Sequence, residues 1–348
     1  MVQIFLGETP IKFSQERGTY EKEVVVENEV GGFSRYQVDE EGVVKTIEFD
    51  FTGAFDEITS IDTYGLYSAF SKCTGITGSI SFPNLTSINA HGLYVAFSHC
   101  TGITGSVSFP KLTSIDTYGL YYAFNQCTGI TSINFPKLTS IDTYGLYYGF
   151  SDCTGITGSI SFPELTTVES DGLGFAFAGC TGITSVSFPE LTTIESRGFT
   201  LAFDGCTGIT SISFPKLRSV ASAGLRYVFR GCTGITGSVS FPELTTVESN
   251  GLGCAFYVCT GLTSISFPKL TSIGKFGLQY AFAGCTGITS ISFPELTTID
   301  SRGFYYAFQG CTGITELHFR ADAQSVIESQ NGYSTNFGAT NATIYFDL

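Results

Sequence analysis

Apolar side chains recur along most of this chain in a pattern that repeats every 26 or 27 residues between Cys73 and Cys311. A fixed period in this range is typical of a solenoid, in which each coil covers the apolar face of its neighbour. The pattern therefore predicts one elongated repeat domain. The apolar positions of one copy are Ile209, Ile212, Phe214, Leu217, Val220, Leu225, Val228, Phe229 and Cys232.

The first part of each copy predicts a β-strand. Ile209, Ile212 and Phe214 follow the leucine-rich spacing, and Ser213 alternates towards solvent. Pro215 comes next, and proline ends a strand because it lacks the amide hydrogen that the ladder needs. Stacked copies of this strand predict a parallel β-sheet along one side of a leucine-rich-repeat solenoid.

The second part of each copy predicts a short helix or 3-10 turn on the other side. Leu225, Val228, Phe229 and Cys232 have the i, i+3, i+4, i+7 spacing of one helix face, and Gly224 gives the turn room to start. The number of copies predicts about ten to eleven coils.

Cysteine and phenylalanine recur at fixed phases of the repeat, which predicts buried columns. Ten of the eleven cysteines share one phase, so we expect reduced thiols that fill space in the core, with Cys254 outside this ladder. Disulfides between coils are not expected, because stacked side chains point the same way. Two phenylalanine columns, from Phe82 to Phe319 and from Phe70 to Phe308, are expected to form core spines.

Four copies carry an extra glycine just before the strand, which accounts for their length of 27 residues. An extra residue at this place predicts a β-bulge or a loosened turn. The four glycines are Gly78, Gly105, Gly158 and Gly237.

Both ends of the chain depart from the repeat and predict caps. We assign residues 1–45 to an acidic N-terminal β cap or attachment segment, 46–319 to the solenoid and 320–348 to a C-terminal cap. Within the last cap, residues 321–330 predict a helix and residues 342–346 a final strand. Caps of this kind keep an open stack from pairing with another copy.

The recurring run A-F-x-x-C-T-G-I-T-S-I-S-F-P-x-L-T-S-I resembles the BspA-like leucine-rich repeat family over about residues 46–319. The resemblance is specific because cysteine, Phe-Pro and Ala-Phe recur together at fixed offsets. It implies a curved solenoid and an adhesive or protein-binding role, as in surface proteins of gut and oral bacteria.

The start of the chain, V-Q-I-F-L-G-E-T-P-I-K-F, is similar to the N-terminal segments of phage tail-associated structural proteins. This resemblance implies a phage or prophage component that attaches to other structural proteins through its N-terminal segment. Val2 to Leu6 has neither the basic region nor the long apolar stretch of a secretory signal, so we expect no classical signal peptide. The expected location is a virion or the extracellular space, with the bacterial cell surface as the alternative.

The chain is acidic, with 17 Lys plus Arg against 31 Asp plus Glu and a net charge of −14. Residues 1–60 hold 13 of the acidic and five of the basic side chains. An acidic chain of this kind argues against nucleic acid or an anionic membrane surface as a partner. The absence of any run of 18 apolar residues argues against membrane insertion.

Comparison of the copies with one another shows where the surface varies. Nine of the 18 tyrosines fall within residues 64–148, at a few phases of the turn side. Tyrosine offers a large contact area at a low entropic cost, so we expect a ligand-binding surface roughly 15 Å long. The alternative is that these side chains only pack on one another. The candidate residues are Tyr64, Tyr67, His91, Tyr94, Tyr118, Tyr121, Tyr122, Tyr144, Tyr147 and Tyr148.

Charged residues also form columns. The positions after each proline mix both signs, so we expect ion pairs between neighbouring coils. Four carboxylates at another phase repel one another and are a weak candidate for binding Ca²⁺, but no metal-binding motif accompanies them, so we expect neither a metal nor a cofactor. These are Asp116, Asp142, Glu169 and Glu195.

Catalytic chemistry has little support in the sequence. The histidines are His91, His99 and His318, and His99 stands beside Cys100, as in a nucleophile–base pair. Cys100, however, belongs to the expected buried ladder. No CxxC, HExxH, GxSxG or phosphate-binding glycine loop is present, so we expect no enzyme.

These observations predict a non-catalytic recognition protein that binds a cell-surface protein or glycan, displayed as a receptor-binding or structural component of a phage tail or virion. A bacterial BspA-like surface adhesin is one alternative. A passive structural spacer, whose copies are alike because only length matters, is another. The serine and threonine ladder of the strand side leaves a repetitive ligand such as a glycan or ice open as well.

Overall fold

The structure is a computed structural model that describes residues 54–330 and 332–348 with their side chains, and the backbone of six earlier strands. β1 and β2 pair in antiparallel fashion, β3, β4 and β5 form an antiparallel sheet, and β6 runs parallel to the first long strand of the solenoid. The rest of residues 1–45, to which we assigned the N-terminal cap, lies outside the described residues. The six strands are β1 (Ile4–Leu6), β2 (Thr9–Ile11), β3 (Lys22–Glu27), β4 (Phe33–Val38), β5 (Val44–Lys45) and β6 (Phe49–Asp50).

Each coil of the solenoid contributes a longer strand and a short one. Each kind stacks in parallel on its counterparts in the neighbouring coils, which confirms the predicted leucine-rich-repeat solenoid of about eleven coils. In chain order the strands are β7 (Ser60–Ile61), β8 (Ile76–Ser81), β9 (Ser87–Ile88), β10 (Ile103–Ser108), β11 (Ser114–Ile115), β12 (Ser132–Asn134), β13 (Ser140–Ile141), β14 (Gly158–Ser161), β15 (Thr167–Val168), β16 (Ile183–Ser187), β17 (Thr193–Ile194), β18 (Ser211–Ser213), β19 (Ser219–Val220), β20 (Gly237–Ser240), β21 (Thr246–Val247), β22 (Leu262–Ser266), β23 (Ser272–Ile273), β24 (Ser290–Phe293), β25 (Thr298–Ile299) and β26 (Glu316–Phe319).

The register places equivalent residues of successive copies side by side. Ile115 of β11, for example, lies between Ile88 of β9 and Ile141 of β13. All three side chains are buried. Each coil is therefore covered by the same apolar side chains that it presents, which is why near-identical copies stack.

The segment between a short strand and the next cysteine differs from the expected helix or 3-10 turn. It is a chain of overlapping turns, in which amide groups donate alternately to the carbonyl three residues earlier and to the next coil, as Gly65 does to Asp62 and Leu66 to Gly92. A helix would use these amides internally and leave none for the next coil. We call this stretch of each coil the turn segment.

Every fourth residue of a turn segment has the left-handed backbone conformation. In one coil these residues are Tyr118, Tyr122 and Gln126, with φ between 51° and 58°. This conformation reverses the chain at each turn and keeps Leu120, Ala123 and Phe124 buried. The inward positions thus reproduce the i, i+3, i+4 spacing of a helix without forming one.

The core consists of the predicted columns. Neighbouring phenylalanine rings stack in parallel with centroids 5.0 to 6.0 Å apart, for example Phe97 on Phe124 and Phe214 on Phe241. The two columns also touch edge to face, as Phe109 does on Phe124. Each buried phenylalanine contributes about 1.5–3 kcal/mol by leaving water, and each ring pair about 0.5–1.5 kcal/mol more.

The extra glycines produce the expected irregularities. The strand register shifts beside Gly158 between β14 and β16, and beside Gly237 between β20 and β22. Both glycines have a φ near +80°, a conformation that favours glycine. The predicted β-bulges are therefore confirmed at these two positions.

The C-terminal residues cover the last coil as predicted. A 3-10 turn (Ala321–Ala323) leads into α1 (Gln324–Glu328), 3-10 turns follow over Tyr333–Gly338, and β27 (Thr343–Phe346) pairs in parallel with β26. The expected helix and final strand are both present. The domain boundaries at residues 45 and 319 stay predictions.

Candidate functional site

The ten aromatic side chains that the sequence singled out lie together on the turn segments of four successive coils. They are arranged in three columns, which together we call the aromatic patch. The first column is Tyr64, His91, Tyr118 and Tyr144, the second is Tyr67, Tyr94, Tyr121 and Tyr147, and the third is Tyr122 and Tyr148.

Rings within a column are nearly parallel. Their centroids are 4.8 to 5.0 Å apart in the first column and 4.7 to 5.5 Å apart in the second, and Tyr122 lies 4.5 Å from Tyr148. The largest angle between two stacked rings is 24°. Inner rings therefore cover one another's faces, and each column presents ring edges and hydroxyl groups to solvent.

Rings of different columns meet at steep angles. Tyr118 and Tyr121 are inclined by 68°, Tyr144 and Tyr147 by 79°, and Tyr147 and Tyr148 by 74°. Edge-to-face contact of this kind is favourable because the positive ring edge meets the negative ring face. The columns consequently join into one continuous aromatic surface.

The backbone explains why three columns form. First-column and third-column residues are the left-handed residues of the turn segment, and second-column residues lie between them. All of these positions point away from the core. Tyr64 and Tyr67 are 57% and 40% exposed, and the other eight side chains are half-buried by their neighbours.

Partial burial changes the acidity of the phenols. It raises the pKa of Tyr121 and Tyr122 to about 12, with neighbouring tyrosines adding to the effect, and also raises the pKa of Tyr147. The pKa of Tyr144 is raised chiefly by the charge of Asp171. At neutral pH these hydroxyl groups are therefore protonated and able to donate hydrogen bonds.

The patch ends where the next coil changes its side chains. Asp171 continues the first column and forms an ion pair with Arg197, with 2.8 Å between Oδ2 and Nη2. Gly174 ends the second column, because a Cβ atom there would lie 2.6 Å from the ring of Tyr147. Phe175 extends the third column at 4.3 Å from Tyr148. The sequence analysis missed Phe175. It follows Asp171 by four residues, as Tyr148 follows Tyr144, so its place in the repeat is that of Tyr148.

The acidic column runs along one edge of the patch. Asp116, Asp142 and Glu169 directly follow Ile115, Ile141 and Val168, which are paired between successive coils. Partial burial and repulsion from the two neighbouring carboxylates raise the pKa of Asp142. Among the residues described with side chains, no group of three His, Cys, Asp or Glu is arranged to hold a metal ion. The column is thus an acidic border of the aromatic patch.

The mixed charges after each proline form the expected pairs between coils. The Nζ atom of Lys216 lies 2.7 Å from a carboxylate oxygen of Glu190, and Lys269 lies 2.7 Å from Glu243. These pairs are exposed, so each contributes roughly 0–1 kcal/mol.

Nine of the ten ladder cysteines are buried free thiols, as expected, whereas Cys73 at the start of the ladder is exposed. Each ladder thiol after Cys73 donates a hydrogen bond to a phenylalanine carbonyl of the preceding coil, as Cys127 does to Phe97 at 2.9 Å. Burial raises the pKa of Cys127 to about 12. Cys100 is held in the same way by Phe70, so its neighbour His99 does not activate it as a nucleophile.

Threonine hydroxyl groups on the strand side are engaged within the stack. Thr113, for example, donates to the carbonyl of Thr86 at 3.1 Å. These bonds satisfy the threonine hydroxyl groups within the stack. The same contact is made by Thr86, Thr139, Thr166, Thr245, Thr271 and Thr297.

Sequence comparison identifies the family. The pattern described as "BspA type Leucine rich repeat region" matches in six copies, over residues 66–200, 147–251 and 200–337, which is well over half of the chain. This chain belongs to the BspA-type leucine-rich repeat family. Members of this family are generally non-catalytic interaction proteins, typically at cell surfaces or outside cells, and the membership supports the interaction role and the surface or extracellular location that were predicted. The matches do not extend to the first residues, so the phage-tail resemblance stays a prediction.

Two similar solved structures are leucine-rich repeat proteins. One, from T. pallidum, has 16% identity and a TM-score of 0.37, and the match covers 70% of this chain and 92% of that chain. The other is a leucine-rich cell surface protein from Faecalibacterium prausnitzii A2-165, with 13% identity, a TM-score of 0.33 and coverage of 93% and 94%. No curated protein matches the sequence. In the described part of the chain, no helix is long and apolar enough to cross a bilayer.

Proposed function

We propose that this chain is a recognition protein that binds a partner protein through the aromatic patch while displayed on an outer surface. The observation that carries the proposal is the continuous aromatic surface on four coils, at positions where the fold requires no aromatic side chain. The same left-handed position holds Tyr118 and Tyr144 in the patch but Asp171, Arg197 and Ala223 in later coils, with φ between 56° and 58° throughout.

That comparison supports a role in binding over a role in packing alone. If the solenoid needed stacked rings at this position to fold, the coils with arginine or alanine would not adopt the same backbone. The tyrosines are therefore surplus to folding. They form a clustered, half-exposed surface of the kind that protein interfaces use.

Ring orientation favours a protein over a glycan as the partner. Sugars pack on exposed aromatic faces, but the stacked rings of the patch cover one another's faces. The patch instead offers ring edges and protonated hydroxyl groups, which suit the peptide groups and mixed side chains of a protein. The border of Asp116, Asp142 and Glu169 favours a partner with basic residues around its contact region.

Two outer surfaces on which the protein is displayed fit this role. A bacterial cell surface accords with the family, whose matched residues 66–337 make up most of the chain. A phage tail or virion accords with the resemblance of the first residues to tail-associated proteins. The family match favours the bacterial surface, and the N-terminal segment would supply the attachment in either case.

A binding experiment with one patch variant tests the proposal. Labelled full-length protein is applied to gut bacterial cells, epithelial cells and extracellular-matrix proteins, alongside a variant with Tyr118, Tyr121, Tyr144 and Tyr147 changed to Ser. We expect the variant to bind at least tenfold more weakly. Treatment of the target with protease should abolish binding of the unchanged protein. If the variant loses binding to bacterial cells, the result supports display on a phage. If it loses binding to epithelial cells or matrix proteins, the result supports a bacterial adhesin.

Two controls make the result specific. Tyr257→Ser removes an exposed tyrosine outside the patch and should leave binding intact. Tyr118→Phe with Tyr144→Phe keeps the stacked rings and removes only hydroxyl groups, so it separates hydrogen bonding from lost stability. Undiminished binding by a folded Ser variant would support the spacer alternative. Binding that survives protease but not removal of target glycans would favour a glycan.

A further inference from the structure

A second group of side chains on the turn segments lies beyond the aromatic patch and has the opposite charge. Several coils pair a basic residue with a carboxylate, as Arg230 pairs with Asp204 at 2.6 Å. Within residues 54–330 and 332–348, no ion pair joins Arg226, Lys275 or Arg302 to a carboxylate. These three cations are exposed on the turn segments of a chain whose net charge is −14.

Each of these cations lies over an aromatic ring. The Cζ atom of Arg302 is 5.5 Å from the ring centroid of Phe276 and 5.7 Å from that of Tyr305, and the Nζ atom of Lys275 is 5.7 Å from Phe276. Arg226 lies two coils before Phe276, and its Cζ atom is 4.9 Å from the ring centroid of its neighbour Tyr227. We call Lys275, Phe276, Gln279, Arg302 and Tyr305 the cation–aromatic cluster.

The cluster concentrates positive charge without a counter-ion. Lys275 and Arg302 share the ring of Phe276, and like charges held close together repel. A ring face attracts a cation but does not neutralise it. Glu248 and Asp300 lie nearby at the same phase of the repeat as the acidic column, yet among the described residues neither forms an ion pair with these cations. An anionic group placed between Lys275 and Arg302 would remove the repulsion and accept hydrogen bonds from both.

Tyr305 differs from the tyrosines of the aromatic patch. It occupies the second-column position and is inclined by 86° to Phe276 and by 88° to Tyr280. Its neighbour in that column on the preceding coil is Gln279 instead of another ring. Among the described residues, no aromatic ring stacks in parallel on Tyr305. Arg302 lies over the ring of Tyr305 and Tyr306 meets that ring at an angle of 72°, but no parallel ring in the described part of the chain covers it as in the aromatic patch.

We propose that the cation–aromatic cluster binds a carboxylate-bearing carbohydrate. Arg302 and Lys275 hold the carboxylate, the face of Tyr305 packs against the sugar ring, and the amide of Gln279 bonds to a sugar hydroxyl group. This site is separate from the aromatic patch, and its ligand class differs because its charge and ring orientation differ.

Direct titration of the full-length protein tests the assignment. The probes are 3′-sialyllactose and an oligogalacturonate, with lactose as the uncharged comparison, measured by calorimetry or ligand-observed NMR. We expect saturable binding of an acidic probe that is at least tenfold tighter than binding of lactose and that weakens as NaCl is raised. Arg302→Gln and Tyr305→Ser should each weaken binding at least tenfold. Arg302→Lys should retain part of it, because it keeps the charge without the planar fork.

Matched controls locate the effect. Lys216→Gln removes an exposed cation from an ordinary ion pair, and Tyr257→Ser removes an exposed tyrosine outside both surfaces; neither should alter binding of the acidic sugar. Circular dichroism shows whether each variant is folded. The proposal is overturned if neither acidic probe binds saturably, if lactose binds equally well, or if a folded Arg302→Gln variant binds as tightly as the unchanged protein. Binding of a glutamate-rich peptide but of neither sugar would also overturn it and assign the cluster to protein recognition.

Discussion

At the scale of single residues, the left-handed positions of the turn segment carry most of the backbone strain. A non-glycine residue in this conformation costs about 1–2 kcal/mol, and a β-branched one is the least suited to it. The third such position is glycine in five coils, including Gly231 and Gly284, but valine at Val258. The identity of this residue therefore tunes stability without changing the fold.

We expect Val258→Gly to raise the free energy of unfolding by up to about 1 kcal/mol, because relief of strain outweighs the greater freedom of glycine in the unfolded chain. Val258 is exposed, so little buried area is lost. The reverse change, Gly284→Val, should lower it by about 1–2 kcal/mol. Urea denaturation of both variants measures the effect. A stability loss in Val258→Gly would contradict the strain argument.

His318 gives the C-terminal cap a pH dependence. Its Nδ1 atom lies 2.9 Å from Asp347, and this hydrogen bond, with a contribution from Glu316, raises the pKa of His318 above 6.5. The folded protein therefore stabilises the protonated imidazole of His318 relative to the neutral one. Its stabilisation is therefore fully present below pH 6.5 and is lost as pH rises through the folded pKa.

We expect His318→Gln to cost about 1 kcal/mol or less at pH 5.5 and nearly nothing at pH 9. Hydrogen exchange of the β27 amides, measured at both pH values, reports the stability of the cap. An equal cost at both pH values would assign the role of His318 to its stacking on Tyr345 instead of its charge.

At the scale of elements, the columns decide the chemistry of the surface and the core. The same residue repeated every coil stands against its own copy, so its environment depends on its neighbours in the column more than on its neighbours in sequence. This explains why the ladder thiols share one hydrogen bond and why several phenols of the aromatic patch have raised pKa values. These phenols are Tyr94, Tyr121, Tyr122, Tyr144, Tyr147 and Tyr148.

We expect Tyr121 and Tyr122 of the aromatic patch to lose their protons late in an alkaline titration. Tyr121 and Tyr122 should ionise near pH 12, whereas ordinary tyrosines ionise near pH 10. Because the folded pKa is raised, the free energy of unfolding should fall as pH rises from about 10 towards 12. Tyrosinate absorbance measures the ionisation. The double variant Tyr121→Phe with Tyr122→Phe should lose late-ionising signal, and an unchanged curve would contradict the assignment.

The cysteine ladder predicts selective thiol reactivity. Cys73 is exposed and the other ten thiols are buried. A thiol-specific reagent should therefore label one cysteine quickly in the native protein and the rest only after unfolding, because buried thiolates are disfavoured. Mass spectrometry of the labelled protein identifies the site. Rapid labelling that persists in a Cys73→Ser variant would contradict the buried ladder.

At the scale of the whole molecule, stability is distributed over interfaces between neighbouring coils. Each coil contacts chiefly its two neighbours, so a solenoid tolerates a change in the number of coils if the register is kept. One copy of the repeat runs from Cys206 to the residue before Cys232. Removing or adding a whole copy keeps the register between coils.

We expect deletion of residues 206–231, one complete copy, to leave a folded solenoid with a shortened stack. Deletion of residues 206–218, half a copy, should prevent folding, because it places a strand against a turn segment. Circular dichroism and cooperative thermal unfolding distinguish the two proteins. Equal disruption by both deletions would show that particular coils, and not the repeat, hold the fold.

Much of the fold was open to prediction because periodicity is visible in one sequence. The parallel strands, the phenylalanine spines, the cysteine ladder and the C-terminal helix and strand all follow from the phase of each residue. The turn segments did not follow, because Leu120, Ala123 and Phe124 have the spacing of a helix face. Only the competition between coils for amide hydrogens distinguishes the two backbones.

The sequence by itself determined that this chain is a leucine-rich-repeat solenoid and placed ten aromatic residues at shared phases, since equal spacing in sequence becomes stacking in space. The tertiary structure alone decided which faces of those rings are covered, that Phe175 joins them, and that Lys275 and Arg302 share one ring without a carboxylate partner. Those properties depend on side-chain orientation across coils, and no regularity of a linear sequence records it.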